Sequence, residues 1–480
     1  MLKSENAKNV FMVVSSNLLA LIVALLNGFV ITKQLGITDY AYYRIYMLYI
    51  TYAGAAHLGF VNGIYLKYGN YDLDELPREK FSAFGRIMLI IQAVFVVLLS
   101  VCLFFAHGTM DMNVVIAYAF VIINIPLINI KWFYSSINQF TKRFVIDGYV
   151  TYGQNIMLLI MIIVFVAMHG RSFVVLLIFT TIINAICMLA VIVQNKSLVL
   201  VKSESNVWKE GLELIKSGFF LMVSEFVAII ILGIDSIFVQ NLFSMKDFAM
   251  YSFAVSIITV VYALINTVSN LIYPYLVRVE KEKYAEYYTL MSDVLTVVSI
   301  FSMLSFFPAK FIVIIWIDKY LPSISITAIL FGTVSFRALI ILVCGNYFKV
   351  LKMIKEFTKN NVFAIIVSFV TDLLAYLLFH DYRYIALASL LSFIIWYLVT
   401  DYVFIKRLQI PRESCVRRYL CITVGLALFF IVYQMETVRA FFIYMIGATI
   451  ICVVCFFQQF RKLAHVIMER KQEKICKIKK

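Results

Sequence analysis

The sequence predicts an all-α integral membrane protein of about fourteen transmembrane helices, arranged as two six-helix repeat bundles around a central cavity plus two C-terminal helices. Composition, run length and an internal repeat predict it. Of the 480 residues 63% are hydrophobic and 14% charged, too few polar groups to clothe a water-soluble domain. Apolar runs follow one another nearly end to end, each close to the roughly 20 residues a helix needs to cross a bilayer core. They are continuous rather than alternating, which excludes a barrel, and unpaired backbone in lipid excludes irregular structure.

Taken in order, the apolar runs place helices near 10–32, 40–65, 87–106, 113–135, 148–168, 172–193, 217–240, 249–276, 290–315, 325–346, 361–379, 384–405, 419–434 and 440–457. The first follows a short polar head and shows no small-residue cleavage site before the second begins, so it reads as a retained span rather than a signal peptide. The eight cysteines are scattered. Their one close pair, Cys452 and Cys455, sits in the last apolar run with no charge or His to complete a metal or redox site. They read as small apolar packers, and no cofactor or metal is expected.

Orientation follows from the basic residues, because cytoplasmic segments keep the excess of Lys and Arg. With the N-terminus inside, the outer segments hold only Lys33, Arg171, Lys246, Lys319, Arg383 and Arg439. Arg44, Lys131, Lys310 and Arg337 fall inside spans, and all the rest of the 42 Lys and Arg lie on the inner side. Both termini are therefore expected in the cytoplasm, with the tail Arg461–Lys480 as a surface helix or a loose basic tether. The formal charge of +15 spreads over every inner loop without a separate basic domain, which argues against a nucleic-acid partner and for membrane lipids.

Shifted by 208 positions, residues 16–65 fall on 224–273. Polar and aromatic matches carry the weight: Ser16 with Ser224, Asp39 with Asp247, Tyr43 with Tyr251, Thr51 with Thr259, Asn62 with Asn270 and Tyr65 with Tyr273. Asn27 faces Asp235 in the same register, and Asn138 and Phe140 match Asn346 and Phe348. Residues 1–195 and 196–410 thus read as two copies of a six-helix bundle, with 411–480 adding two helices and the basic tail. An even number of spans per copy gives both the same orientation, around an axis along the membrane normal. Spans one, two, seven and eight are expected to line the cavity.

These segments resemble a known family. The SSNLL of span one (Ser15–Leu19), the loop GITDYAYY (Gly36–Tyr43) and the exit GFVNGIYLKYG (Gly59–Gly69) carry the resemblance, echoed by MKDFAMYSFAVS (Met245–Ser256) and LIYPYLVR (Leu271–Arg278). The chain resembles the polysaccharide transport branch of the multidrug/oligosaccharidyl-lipid/polysaccharide exporter superfamily. The resemblance implies a flippase for an undecaprenyl-diphosphate-linked oligosaccharide in capsule, exopolysaccharide or O-antigen assembly. Its implied partners are the lipid-linked anionic oligosaccharide and a polysaccharide polymerase with chain-length machinery.

Ionisable residues inside spans cost about 2.5–3.5 kcal/mol each on insertion scales and usually face a cavity or a partner. Arg337, deep in span ten, can hold a guanidinium fork toward a diphosphate or pair with a carboxylate such as Asp372 or Asp235. Lys131 sits near the register of Arg337 but close enough to an interface to snorkel. Arg44 lies between Tyr43 and Tyr46 at the outer end of span two, as an interfacial anchor or a cavity residue; Lys310 reads as an outer-interface anchor. Tyr40, Tyr42, Tyr43, Tyr46 and Tyr49 crowd that same outer half as sugar platforms. Asp235 and Asp372 can take up a proton or Na⁺ as the cavity changes sides, or balance the buried bases. Asn27 matches Asp235, and His57 is either a proton carrier or a hydrogen-bonded interior residue.

The remaining function classes are a multidrug or cation antiporter, a peptidoglycan-precursor flippase, and a membrane glycosyltransferase or polymerase. An enzyme needs an extramembrane platform, yet the expected outer loops are short and no paired carboxylates, His–Glu metal spacing, nucleophile motif or phosphate-binding glycine loop is present. Three buried bases favour an anionic cargo over a cationic one.

Overall fold

The computed structural model describes residues 15, 16, 18–204 and 207–478, the last of these without side chains beyond Phe457. The readings on residues 1–14 and Asn17, on the side chains of Ser224 and Asn270, and on those of the tail lie outside the described residues. The described backbone is helical apart from short connections and holds no strand among the described residues, as expected for a chain whose peptide groups must pair within each lipid-crossing segment.

Among the described residues eleven helices are long and apolar enough to cross a membrane, and they coincide with spans three to six and eight to fourteen. Of the other three, spans two and seven are broken helices. Span one, Leu18–Gln34, passes through a π-turn at Asn27–Ile31. Span two divides into Ile37–Ile50, a 3-10 turn Ala53–His57, and Phe60–Tyr68. Span seven divides into Trp208–Ile230 and Ile234–Leu242. The uninterrupted helices expected at 40–65 and 217–240 are thus corrected. Span thirteen also starts earlier than expected, at Arg412.

The chain forms two compact units: residues up to Ser256 with Ser368–Tyr376, and Ile257–Val367 with the residues from Leu377 onward. In the first unit the break in span two leaves carbonyls that lipid cannot satisfy, and side chains of spans three and four supply the donors. Gln92 Nε2 donates to the Ala56 carbonyl at 2.9 Å, and Asn129 Nδ2 donates to the Ala53 carbonyl at 2.9 Å. The Gly59 amide donates to His57 Nδ1 at 3.0 Å, closing the turn. Gly59 itself has φ +81°, a conformation that a side chain would strain.

Beyond that turn the second half of span two crosses Trp208–Ile230 at backbone contact. A Cβ on Gly218 would stand 2.1 Å from the Gly59 carbonyl oxygen, and one on Gly63 would stand 2.0 Å from the Leu214 carbonyl oxygen. Backbone cannot retreat as a flexible side chain can. Gly218→Leu is therefore expected to cost more than the ~1–3 kcal/mol of ordinary overpacking and to lower the membrane amount and melting temperature sharply. Wild-type abundance and melting for Gly218→Leu would disprove this packing.

The second unit holds an ionic cluster in its core. Arg418 and Asp401 are both 0% exposed, and Arg418 Nη2 lies 3.5 Å from Asp401 Oδ2. Tyr288 donates to Asp401 at 2.5 Å and Tyr419 at 2.7 Å, while Arg417 Nη2 donates to Asp293 at 2.7 Å. These bonds bind span thirteen to spans nine and twelve. Lys310, expected at the outer interface, is buried and its ammonium donates to the Tyr433 and Met435 carbonyls at 2.6 and 2.7 Å. It caps the turn into span fourteen, whose carbonyls have no later residue to pair with. The last helix runs to Ile478 with a break at Phe456.

Candidate functional site

A π-turn in span one and the break in span seven position the first group of candidate residues, all in the first unit. Asn27 opens the π-turn of span one and its amide donates to the Tyr43 hydroxyl at 3.0 Å. Asp235 lies just after the break in span seven, where Tyr251 donates to its Oδ2 at 2.7 Å and the Ser236 amide donates to its Oδ1 at 2.6 Å. The two pairs are the same pair 208 residues apart. The register read from the sequence is thereby met in three dimensions, with an amide in one copy and a carboxylate in the other. Broken helices with polar residues at the break mark functional positions in membrane proteins, because freed backbone groups need an internal partner or a ligand.

Asp372 belongs to the same unit through the short segment Ser368–Tyr376. It is 0% exposed, neither carboxylate oxygen has a hydrogen-bond donor among the described residues, and its charge interacts with that of Asp235. A buried carboxylate without donors is tolerable only when it carries a proton or a cation. Two buried carboxylates within electrostatic reach cannot both stay ionised cheaply, even though Asp235 has donors of its own. Among the described residues no three His, Cys, Asp or Glu side chains converge as a metal site.

The remaining candidates of the first unit are packed rather than open. Tyr40, Tyr42, Tyr43 and Tyr46 are buried, and Tyr49 donates to Gln240 at 2.8 Å. Arg44 is half-buried, and among the described residues its Nε and the buried Tyr46 hydroxyl have no hydrogen-bond partner. Lys131 donates to Gln154 at 2.5 Å, and Gln154 donates to Asn184 at 3.3 Å. Asn184 in turn donates to Asn124 at 2.8 Å, and Asn124 to Thr181 at 2.7 Å. Its ammonium thus enters a neutral amide chain across spans four, five and six. His57 has its Nδ1 committed to the Gly59 amide.

Arg337 is a deep cation of the second unit. It is 3% exposed, its guanidinium carbon lies 4.0 Å above the Tyr262 ring, and its Nε has no hydrogen-bond partner among the described residues. The Tyr262 hydroxyl bonds Thr333 one turn before Arg337, which fixes the ring under the fork. No Asp or Glu of its own unit pairs with it among the described residues; the acids Asp293 and Asp401 are taken by Arg417 and Arg418. A π-turn, Leu339–Cys344, follows at once, and Ser269 donates to its Ile341 carbonyl at 3.2 Å. Tyr262 was not singled out from the sequence, because nothing in its spacing distinguishes it from belt aromatics. Arg417 and Arg418 were counted as loop bases, although Cys415, Arg418, Ile422, Gly425, Phe429 and Val432 share one buried stripe that helical spacing reveals.

With this geometry in hand, comparison with solved structures decides the fold. The structure titled lipid II flippase MurJ, inward closed conformation, superposes with a TM-score of 0.70 at 14% identity, over 95% of this chain and 100% of that one. The inward-facing multidrug resistance MATE family transporter of the MOP superfamily gives 0.52 at 14% identity, over 81% and 95%. The chain shares the fold of these two structures. At such identities the likeness speaks for the fold. No protein-family model and no curated protein matches the sequence.

Proposed function

We propose that the chain is a flippase that moves an undecaprenyl-diphosphate-linked oligosaccharide across the cytoplasmic membrane by alternating access, with both termini in the cytoplasm. The observation that carries this reading is Arg337: a deep guanidinium on an aromatic platform, with the buried carboxylates of its own unit, Asp293 and Asp401, paired to Arg417 and Arg418. A planar fork in a dry site binds phosphate oxygens in pairs, and the cost of burying it is offset when the anion arrives. Asp235 and Asp372 would couple transport to a proton or Na⁺, while Lys131, Arg44, Tyr43 and Tyr46 assist with the headgroup and sugars. The chain acts as a transporter with the two bundles 1–195 and 196–410, and residues 411–480 present a surface to lipid or to a polymerase.

A peptidoglycan precursor is the second reading, because the full-length structural match is to a lipid II flippase. Both cargoes share the lipid diphosphate. The test is flipping in proteoliposomes of the purified protein, with a fluorescent undecaprenyl-diphosphate oligosaccharide, a lipid-linked disaccharide-pentapeptide and a cationic dye as cargoes. Flipping of the first, dependent on a proton or sodium gradient and lost in Asp372→Asn, is expected. Gradient-driven dye export without flipping of either diphosphate lipid would overturn the proposal in favour of a cation antiporter.

A further inference from the structure

In the first unit, at the end of span two that the basic-residue pattern assigns to the cytoplasm, three donors converge on one carboxylate. Lys67 Nζ lies 2.6 Å from Glu210 Oε1, Tyr68 donates to the same oxygen at 2.7 Å, and Lys80 donates to Oε2 at 3.1 Å. The donors come from spans two and three, and Glu210 comes from the first turn of Trp208–Ile230. Its side chain is 17% exposed, against 49% and 34% for the two lysines, so the carboxylate is enclosed and the ammonium groups face solvent.

Two further contacts hold the Glu210 segment in place. Ser82 donates to the Val201 carbonyl at 2.9 Å, and the Glu204 amide donates to the Glu79 carbonyl at 3.2 Å. The same helix then meets span two at the Gly59, Gly63 and Gly218 crossing, where backbone touches backbone. A contact without interlocking side chains gives a smooth joint about which the helices can part once the charged end is released.

Two ammonium groups and a phenol around one carboxylate have the donor set of a phosphate site. The two ammonium groups exceed the charge of Glu210 by one, with Glu204 also within electrostatic reach of Tyr68 and Lys80. A phosphate or diphosphate brings more acceptor oxygens and more charge than a carboxylate, and so competes for the same donors. Burial alone would raise the Glu210 carboxyl, but the hydrogen bonds from Lys67, Tyr68 and Lys80 outweigh it and hold it at about 2. Its contribution to stability is present above the ordinary carboxyl range and fades only as pH falls toward 2, so physiological acid does not open the contact.

We propose that Lys67, Tyr68 and Lys80 form a docking site for the diphosphate of a lipid-linked substrate, which Glu210 occupies in this conformation and vacates when the ligand displaces it. The chain's own carboxylate is then a latch that releases on cargo. This rests on the reading of the cargo as a lipid diphosphate and adds where that cargo first meets the protein.

The experiment measures binding to the detergent-solubilised full-length protein of undecaprenyl diphosphate, phosphatidylglycerol and inorganic pyrophosphate. Glu210→Gln removes the internal competitor and is expected to tighten undecaprenyl diphosphate binding on the order of tenfold; Lys67→Gln with Lys80→Gln is expected to weaken it by at least as much. Melting temperature checks that each variant is folded. Displacement by pyrophosphate but not by phosphatidylglycerol supports a diphosphate site. Equal competition by phosphatidylglycerol assigns the lysines to bulk anionic lipid and overturns it. Unchanged binding in both variants also overturns it, even where wild-type flipping of lipid diphosphates stands. If flipping of diphosphate lipids is absent while Glu210→Gln still tightens undecaprenyl diphosphate, the cargo reading fails and the site remains.

Discussion

Arg418→Ala is expected to remove most of the folded protein from the membrane rather than to slow transport. Arg418 and Asp401 are both fully buried, and the pair is stabilised further by the Tyr288 and Tyr419 hydroxyls on the same carboxylate. Truncating one partner of a buried pair leaves an uncompensated charge, at about 3–5 kcal/mol, a large fraction of a typical domain's stability. Tyr288 and Tyr419 cannot replace a cation. Replacing both partners by apolar groups removes the charge problem altogether, so Arg418→Met with Asp401→Leu should recover much of the loss. Membrane amount and melting temperature of the single and double variants make the comparison. A normally abundant Arg418→Ala protein, or a double variant no better than the single one, would show that the cluster does not carry the fold of the second unit.

The fold was legible because lipid removes alternatives. A backbone that must pair within its own segment makes hydropathy a nearly direct readout of helices, and the Asn27–Tyr43 and Asp235–Tyr251 bonds follow the register that the sequence displays. The breaks in spans two and seven were not legible, since what permits the former is Gln92 and Asn129, donors far along the chain whose targets depend on tertiary packing. Basic residues at span edges misled for a physical reason. Counting Lys and Arg treats each as solvated, whereas Arg417 and Arg418, taken as loop bases, are held by Asp293 and Asp401. Of the candidate residues, the structure brings Asn27 to Tyr43 and sets Asp235 in electrostatic reach of Asp372. Lys131 instead joins an amide chain that no spacing rule reveals.

The second large effect concerns Arg337. Each charge-assisted hydrogen bond to an anion is worth about 1.5–3 kcal/mol, so Arg337→Ala should reduce flipping of a lipid-linked oligosaccharide about ten- to a hundredfold or more while the protein still inserts. Arg337→Lys keeps the charge but loses the fork and should fall between the two. Tyr262 tests the platform separately: Tyr262→Phe keeps the ring under the guanidinium, whereas Tyr262→Leu removes a contact worth about 0.5–2 kcal/mol and should slow flipping more. Lys131→Ala and Arg44→Ala should have smaller effects, because Lys131 is engaged by Gln154 and Arg44 is only half-buried. If Arg337 served only to hold the fold, flipping and membrane amount would fall together through the series, and Arg337→Lys would restore both. Flipping normalised to the amount of inserted protein separates the two. A well-expressed Arg337→Ala protein that flips at the wild-type rate would remove the cation site from the mechanism, since no other cation of the second unit is at once this deep and free of a carboxylate or carbonyl partner among the described residues.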